Sequence, residues 1–163
     1  DGSEVFITGI KRDIPEALAI KKMAGENPLI KVLCGTRTLP EFKDFLSTKR
    51  WLISTDTGIT HMASAFDMNI IAIYGNRNMI ESAPLCRNGL AVSAVMECVP
   101  CFRKTCGHRN CMKAVKGAAI LDIIKVFGDP DAVKAAALRH GIAVYDCATT
   151  AGAVNPFCAI SRA

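Results

Sequence analysis

No stretch of this sequence is apolar for long enough to cross a bilayer: the longest runs, residues 69–74 and 118–126, fall well short of the ~18–20 residues a spanning helix needs. The N-terminus has neither the basic start nor the apolar stretch of a secretory signal, and its Asp-Gly-Ser-Glu-Val reads as the middle of a longer chain. Aromatic residues make up only 6%. None interleaves with a basic stripe, so a surface that stacks single-stranded nucleic acid is excluded. Long blocks of like charge are missing too. The 20 Lys and Arg against 15 Asp and Glu leave a net +5, which favours an anionic small molecule or acceptor over nucleic acid as the partner.

What is present suffices for a fold. Half of the 163 residues are hydrophobic and 21% are charged, a balance that supplies a core, and the length suits one domain of ~100–200 residues. Of the 8 cysteines, four are packed into residues 98–111, while Cys34, Cys86, Cys147 and Cys158 stand singly. A disulfide-stapled secreted domain spreads its cysteines evenly. This distribution points instead to a reducing, cytoplasmic compartment and a local thiol cluster.

A short apolar run at 5–8 ends at Gly9 and leads to Asp13-Ile14-Pro15-Glu16. There Asp13 can cap a helix, Pro15 fits its first turn and Glu16 has capping-box spacing. Ile14, Ala17, Leu18 and Ala24 line that helix, which ends near Gly25. The plan repeats with a strand at 30–33, a turn at Gly35, and Thr38-Leu39-Pro40-Glu41 opening a helix striped by Leu39, Phe42, Phe45 and Leu46. A third strand, 51–54, runs into Asp56-Thr57-Gly58 and a helix through Met62, Ala63 and Phe66. A fourth, 70–74, is apolar on both faces and stops at Gly75. Such strands alternating with amphipathic helices predict an α/β fold, a Rossmann-like parallel sheet covered by helices.

Further along, the pattern predicts a strand at 89–95, a helix at 114–127 running through Gly117, a break at Gly128-Asp129-Pro130, a helix at 131–140 and a strand at 142–145. Residues 1–128 then form the main domain, and 129–163 an extension with a loose tail beyond Thr149. There is no internal repeat beyond the β/α alternation. Trp51, Met62 and Met68 are read as packing residues, and His140 as a basic residue at a helix C-terminus.

Open parallel sheets bind ligands beyond the carboxyl ends of their strands. The sharpest loop there is Ser54-Thr55-Asp56-Thr57-Gly58-Ile59-Thr60-His61, in which a strand turns through a glycine into a helix. Amides of Thr57, Gly58 and Ile59 can face a phosphate. His61 can add a hydrogen bond or a positive charge to a diphosphate, and Asp56 can accept from sugar hydroxyls or fix the loop. The same residues also read as a helix cap followed by an exposed histidine.

That block continuing through Met62-Ala63-Ser64-Ala65, the strand ending in Tyr74-Gly75, and the cysteines from Cys98 to Cys111 resemble glycosyltransferase family 9, the ADP-heptose heptosyltransferases. The resemblance covers residues 5–127 and the C-terminal, donor-binding half of a GT-B enzyme. It implies an inverting transfer of heptose or a related sugar from a nucleoside-diphosphate sugar, resembling ADP-heptose, to a lipopolysaccharide-core or protein acceptor. On this resemblance Asp56, Thr57, Gly58 and His61 hold the donor's diphosphate and sugar, with His61 as the catalytic, leaving-group-stabilising residue. Lys11, Thr36 and Arg37 lie near the nucleoside, while Asp13 is assigned to capping rather than to the ribose. The family often has Pro-Thr or Pro-Ser after Tyr-Gly, where this chain has Asn76-Arg77-Asn78. The N-terminal acceptor domain, which carries the carboxylate base, would precede residue 1, so this chain is expected to be inactive alone.

The cysteine cluster has the form C-x2-C-x4-C-x4-C, from Cys98 through Cys101 and Cys106 to Cys111, with His108 inside. Four thiolates so close can wrap one structural ion. Zinc is the default, and autotransporter heptosyltransferases, which hold iron in a similar finger, keep iron open. Two local disulfides or free thiols are the alternatives. Two further functional readings compete with the enzyme half: a non-catalytic nucleotide-sugar-binding module with a metal finger, and a small metal or thiol-redox protein.

Overall fold

A computed structural model describes residues 2–150, with side chains through residue 148; the tail expected beyond Thr149, with Cys158, lies outside the described residues. The chain forms two compact units, one of residues 1–48 and one starting at Lys49.

In the first unit, strands β1 (Val5–Ile7) and β2 (Ile30–Val32) pair in parallel, Val5 opposite Ile30. Helix α1 (Ile14–Met23) connects them and α2 (Leu39–Ser47) follows. The capping box that opens α2 is present: the Thr38 N–H and hydroxyl both donate to Glu41 Oε2, at 2.7 and 2.8 Å, which holds the Glu41 carboxyl below its usual range. The start of α1 differs from the expectation. Asp13 makes no cap bond to α1; it accepts from the Ile10 N–H at 2.9 Å and closes the 3-10 turn Lys11–Asp13 before the helix. Its side chain fills the space where Gly9 lacks one.

The second unit is built on a four-stranded sheet in the order β3 (Trp51–Thr55), β4 (Asn69–Tyr74), β5 (Gly89–Ala94), β6 (Ile142–Asp146). The first three run parallel; β6 pairs antiparallel with β5, Val92 opposite Val144. The expected helix-covered parallel sheet is therefore found, with an antiparallel edge strand that periodicity does not encode.

Helices α3 (Gly58–Ala63), α4 (Met79–Ser82), α5 (Asn110–Ala114), α6 (Gly117–Lys125) and α7 (Pro130–Arg139) complete this unit. The single helix expected at 114–127 is two, because Val115 and Lys116 are extended and Gly117 begins α6. Ile71, Leu90, Val92, Ile142 and Val144 form one face of the sheet and pack against Ile120 and Ile123 of α6 and Val133, Ala136 and Ala137 of α7. Ile70, Ala72 and Tyr74, which alternate with them on β4, are buried as well, so the strand is covered on both faces, as its continuous apolar run requires. The division expected at residue 128 falls between α6 and α7, which share this core. Trp51 packs edge-on against Phe127, centroids 4.7 Å apart, as a packing residue should.

Asp129 caps α7 through the Ala132 N–H at 3.0 Å. His140, at the far end of α7, reaches Asp122 of α6 at 3.0 Å, and Lys125 reaches the same carboxylate at 2.9 Å. These two bonds, His140 first, lower the Asp122 pKa from 3.8 to about 2. A carboxylate with a depressed folded-state pKa adds stability above its unfolded pKa and loses it as the pH falls through the folded one. The contribution thus disappears between pH 4 and 2. In urea titrations, the midpoint of the unaltered chain is expected to fall over that window more steeply than that of Asp122→Asn; equal slopes would remove the triad from the stability of the α6–α7 pair.

Candidate functional site

The carboxyl ends of β3 and β4 open onto a cleft of about 960 Å³. Thr55 and Asp56 line it from the end of β3, Ile73, Gly75, Asn76 and Arg77 from the end of β4, and residues of the 98–112 segment from the far side. Arg77, Arg103, Lys104 and Arg109 bring four cationic side chains to its lining against one carboxylate, Asp56. Low-dielectric walls focus such an excess of one sign and raise the local concentration of anions. Guanidinium groups add forked donors that match phosphate oxygens.

Local chemistry explains how the 98–112 segment comes to face β4. The Phe102 N–H donates to the Asn76 carbonyl at 2.8 Å, and the Asn76 side-chain amide donates to the Arg103 carbonyl at 2.7 Å. Met112 and Cys111 pack where Gly75 has no side chain; a Cβ there would stand 2.7 Å from the Met112 sulfur. Asn78 caps α4 through the Ile80 N–H at 3.0 Å and donates to Glu81 at 2.9 Å. The Asn76-Arg77-Asn78 departure therefore has three roles here: loop clamp, cleft cation and helix cap. Tyr74, buried at the end of β4, donates to the Ser82 carbonyl at 2.6 Å. Burial, and then the negative charge of Asp56, push its phenol well above the ordinary value.

Asp56 is half-buried and in the cleft; His61 is exposed, its Nε2 3.8 Å from Asp56 Oδ1. The loop between them is tied by Thr60, whose hydroxyl donates to the Thr55 carbonyl at 2.7 Å and whose N–H donates to the Thr57 carbonyl at 3.0 Å. Thr57, the extended residue before α3, and Gly58, its first residue, are exposed. Nothing lies within 4 Å of where a Gly58 side chain would begin, so the protein's own packing does not demand a glycine there. Of the expected site, Asp56 lines the cleft and His61 adjoins Asp56; Thr57, Gly58 and His61 are not among the lining residues.

Lys11, Thr36 and Arg37 belong to the first unit. The Gly9 and Gly35 loops meet there, the Gly35 N–H donating to the Gly9 carbonyl at 2.8 Å, and Lys11 packs against Gly35, which is left-handed at φ +65°. Thr36 donates to the Leu33 carbonyl at 2.8 Å. The Arg37 guanidinium lies 4.4 Å from the Phe45 ring centroid, a cation–π contact within its own unit.

Cys98, Cys101, Cys106 and Cys111 all line the cleft. Among the described residues no three His, Cys, Asp or Glu side chains converge as a metal-binding group. Cys106 lies 3.6 Å from both ring nitrogens of His108, while Cys111 is drawn to Gly75 by the packing of α5. Backbone N–H groups of Arg109 and His108, and then the Arg103 and Arg109 charges, lower the Cys106 pKa. The expectation of a structural zinc or iron ion rests on the spacing of these four cysteines.

The family model for glycosyltransferase family 9 (heptosyltransferase) matches residues 1–112. The chain belongs to that family. Lipooligosaccharide heptosyltransferase 2 of Campylobacter jejuni subsp. jejuni serotype O:6 is 27% identical over 108 residues, which cover 64% of this chain and 34% of that protein. Lipopolysaccharide heptosyltransferase 1 of Pseudomonas aeruginosa is 28% identical over 64 residues, covering 39% of this chain and 18% of that one. The solved structure of E. coli ADP-heptose lps heptosyltransferase II matches with a TM-score of 0.53 at 18% identity, over 57% of this chain and 29% of that chain. The family 9 chain described here thus spans about a third of the length of the Campylobacter heptosyltransferases it matches, 34% and 32%. Arg103, Lys104 and Arg109 stand well away from Asp56 in sequence, and Arg77 belongs to the departure from the family pattern. Only the folded loop brings them to the carboxyl ends of the strands. Among the described residues no helix is long and apolar enough to cross a membrane.

Proposed function

We propose that this chain is the donor-binding part of an inverting heptosyltransferase, acting with an acceptor-binding part supplied by further sequence or a partner. The observation that carries the reading is the cleft of four cations and one carboxylate at the carboxyl ends of β3 and β4. The diphosphate of a nucleoside-diphosphate sugar, of the ADP-heptose type named for the E. coli neighbour, lies against Arg77, Arg103, Lys104 and Arg109. Asp56 accepts from sugar hydroxyls, and His61 beside it orients that carboxylate or adds positive charge.

In the reaction, an acceptor hydroxyl attacks the anomeric carbon from the side opposite the diphosphate. The bond from that carbon to the diphosphate oxygen breaks with inversion, and the hydroxyl proton passes to a base of the acceptor-binding part. Negative charge grows on the departing diphosphate, and preset cations stabilise it at that moment. They accelerate the step to the extent that this interaction strengthens in the transition state.

Ligand that binds only the folded state stabilises it by ~2.7 kcal/mol at a hundredfold excess over Kd, so ADP or ADP-heptose is expected to raise the melting temperature by roughly 5 °C. Unchanged melting at millimolar nucleotide would count against the reading. The non-catalytic module shares this binding result and is separated from the enzyme part by transfer activity when the acceptor-binding part is added.

A further inference from the structure

The opposite edge of the same sheet brings together two thiols that the cleft chemistry does not use. Cys86 precedes β5 and Cys147 follows β6, 61 residues apart in sequence, and the β5–β6 ladder, in which Leu90 pairs with Asp146, draws them to one place. That place is the missing side chain of Gly89: a Cβ there would overlap the Cys86 sulfur and stand 3.4 Å from the Cys147 sulfur and 3.3 Å from its Cβ. The two side chains are linked by a hydrogen bond.

We propose that Cys86 and Cys147 are a reversible disulfide site, closed by a hydroperoxide and reopened by a dithiol. A cysteine that only packs is buried and inert. This pair is asymmetric instead: Cys147 is 1% exposed, whereas Cys86 is partly exposed, and both line a second cleft, of about 800 Å³, with Arg87 and Asp67. An oxidant entering that cleft meets Cys86 first, with Cys147 already in contact behind it.

The acid–base order agrees with the geometry. Donation from the Cys147 thiol lowers the Cys86 pKa, against the opposing effects of burial and of the Asp146 charge. The same bond, with burial, raises Cys147. Cys86, whose thiol lies 3.7 Å from the Pro84 carbonyl, is thereby the readier of the two to ionise, and Cys147 the one that holds its proton. The Cys86 sulfur attacks the peroxide O–O bond, forming a sulfenic acid and releasing an alcohol, or water when the oxidant is hydrogen peroxide. The Cys147 sulfur then attacks the Cys86 sulfur; the S–O bond breaks and water leaves with the Cys147 proton. Two thiols and one hydroperoxide become one disulfide, one alcohol or water, and one further water.

The test uses the full chain with Cys158→Ser, because the tryptic peptide 140–162 carries both Cys147 and Cys158. After treatment with a few equivalents of hydrogen peroxide and alkylation of remaining thiols, peptide 78–87 is expected linked to 140–162, lighter by two hydrogens and separated by dithiothreitol. Before oxidation, Cys86 should alkylate at least about tenfold faster than Cys147. Adding Cys147→Ala should abolish the link and leave a Cys86 sulfenic acid that dimedone captures. Adding Cys86→Ser, a change at a partly exposed position, should leave Cys147 a thiol under the same oxidant. Recovery of both peptides as alkylated thiols while residues 98–111 are oxidised would overturn the proposal. So would oxidation of Cys147 in the Cys86→Ser chain, or the absence of a dimedone adduct in the Cys147→Ala chain.

Discussion

Arg77→Gln and Arg103→Gln each weaken ADP binding about tenfold, and together on the order of a hundredfold, because each removes a charge-assisted hydrogen bond worth ~1.5–3 kcal/mol. These two positions are the cleanest of the four cleft cations. Arg109 holds a left-handed backbone at φ 49° where α5 begins, so changing it confounds charge with loop conformation, whereas Arg77 and Arg103 are exposed side chains. Their removal should shift the stability of the unliganded chain by no more than ~0.5 kcal/mol.

Asp56→Asn is expected to behave differently. It should weaken ADP-heptose more than ADP, since the carboxylate is assigned to the sugar, and the ratio of the two affinities measured by calorimetry isolates that role. His61→Ala should follow the same pattern more weakly, acting through Asp56 at 3.8 Å. Equal ADP affinity in Arg77→Gln, Arg103→Gln and the unaltered chain would show that the diphosphate lies elsewhere.

Ile123→Ala is expected to destabilise the second unit by about 3 kcal/mol. Its side chain is fully buried between α6 and the sheet, and emptying such a site costs both transfer free energy and the cavity left behind, ~2–5 kcal/mol in other cores. Leu121, two residues earlier on the same helix, is 59% exposed, so Leu121→Ala should stay within ~0.5 kcal/mol. Urea denaturation of both variants checks the pair. Similar losses would mean that α6 does not present the face described.

Much of the scaffold could be read from residue types. The strand before Gly75 is legible because parallel strands covered on both faces are continuously apolar, and Thr38 with Glu41 carries its capping chemistry in its own spacing. Other features depend on pairings that periodicity cannot carry. The apolar run along 142–145 marks a strand but not its antiparallel sense. Gly117 reads as a tolerated interruption of one helix, whereas the extended Val115 and Lys116 make it a beginning. Asp13 has the type and place of a helix cap but bonds backward to Ile10.

The site divides in the same way. Asp56 and His61 are legible because strand, turn and helix lie in one continuous stretch. The cations of the 98–112 segment become cleft residues only through Asn76, whose two bonds to Phe102 and Arg103 span a long sequence separation. Cys86 is likewise invisible as the neighbour of Cys147 until the β5–β6 ladder is formed.

The proposed function puts the donor's diphosphate in the electropositive cleft at the ends of β3 and β4. Its most direct test is titration of the isotopically labelled full chain with ADP, followed through backbone amide resonances. The largest shifts are expected on residues 55–58, 75–77 and 101–109, with dose dependence lost in the Arg77→Gln, Arg103→Gln double variant. Shifts confined to other residues, or none at millimolar ADP, would contradict it.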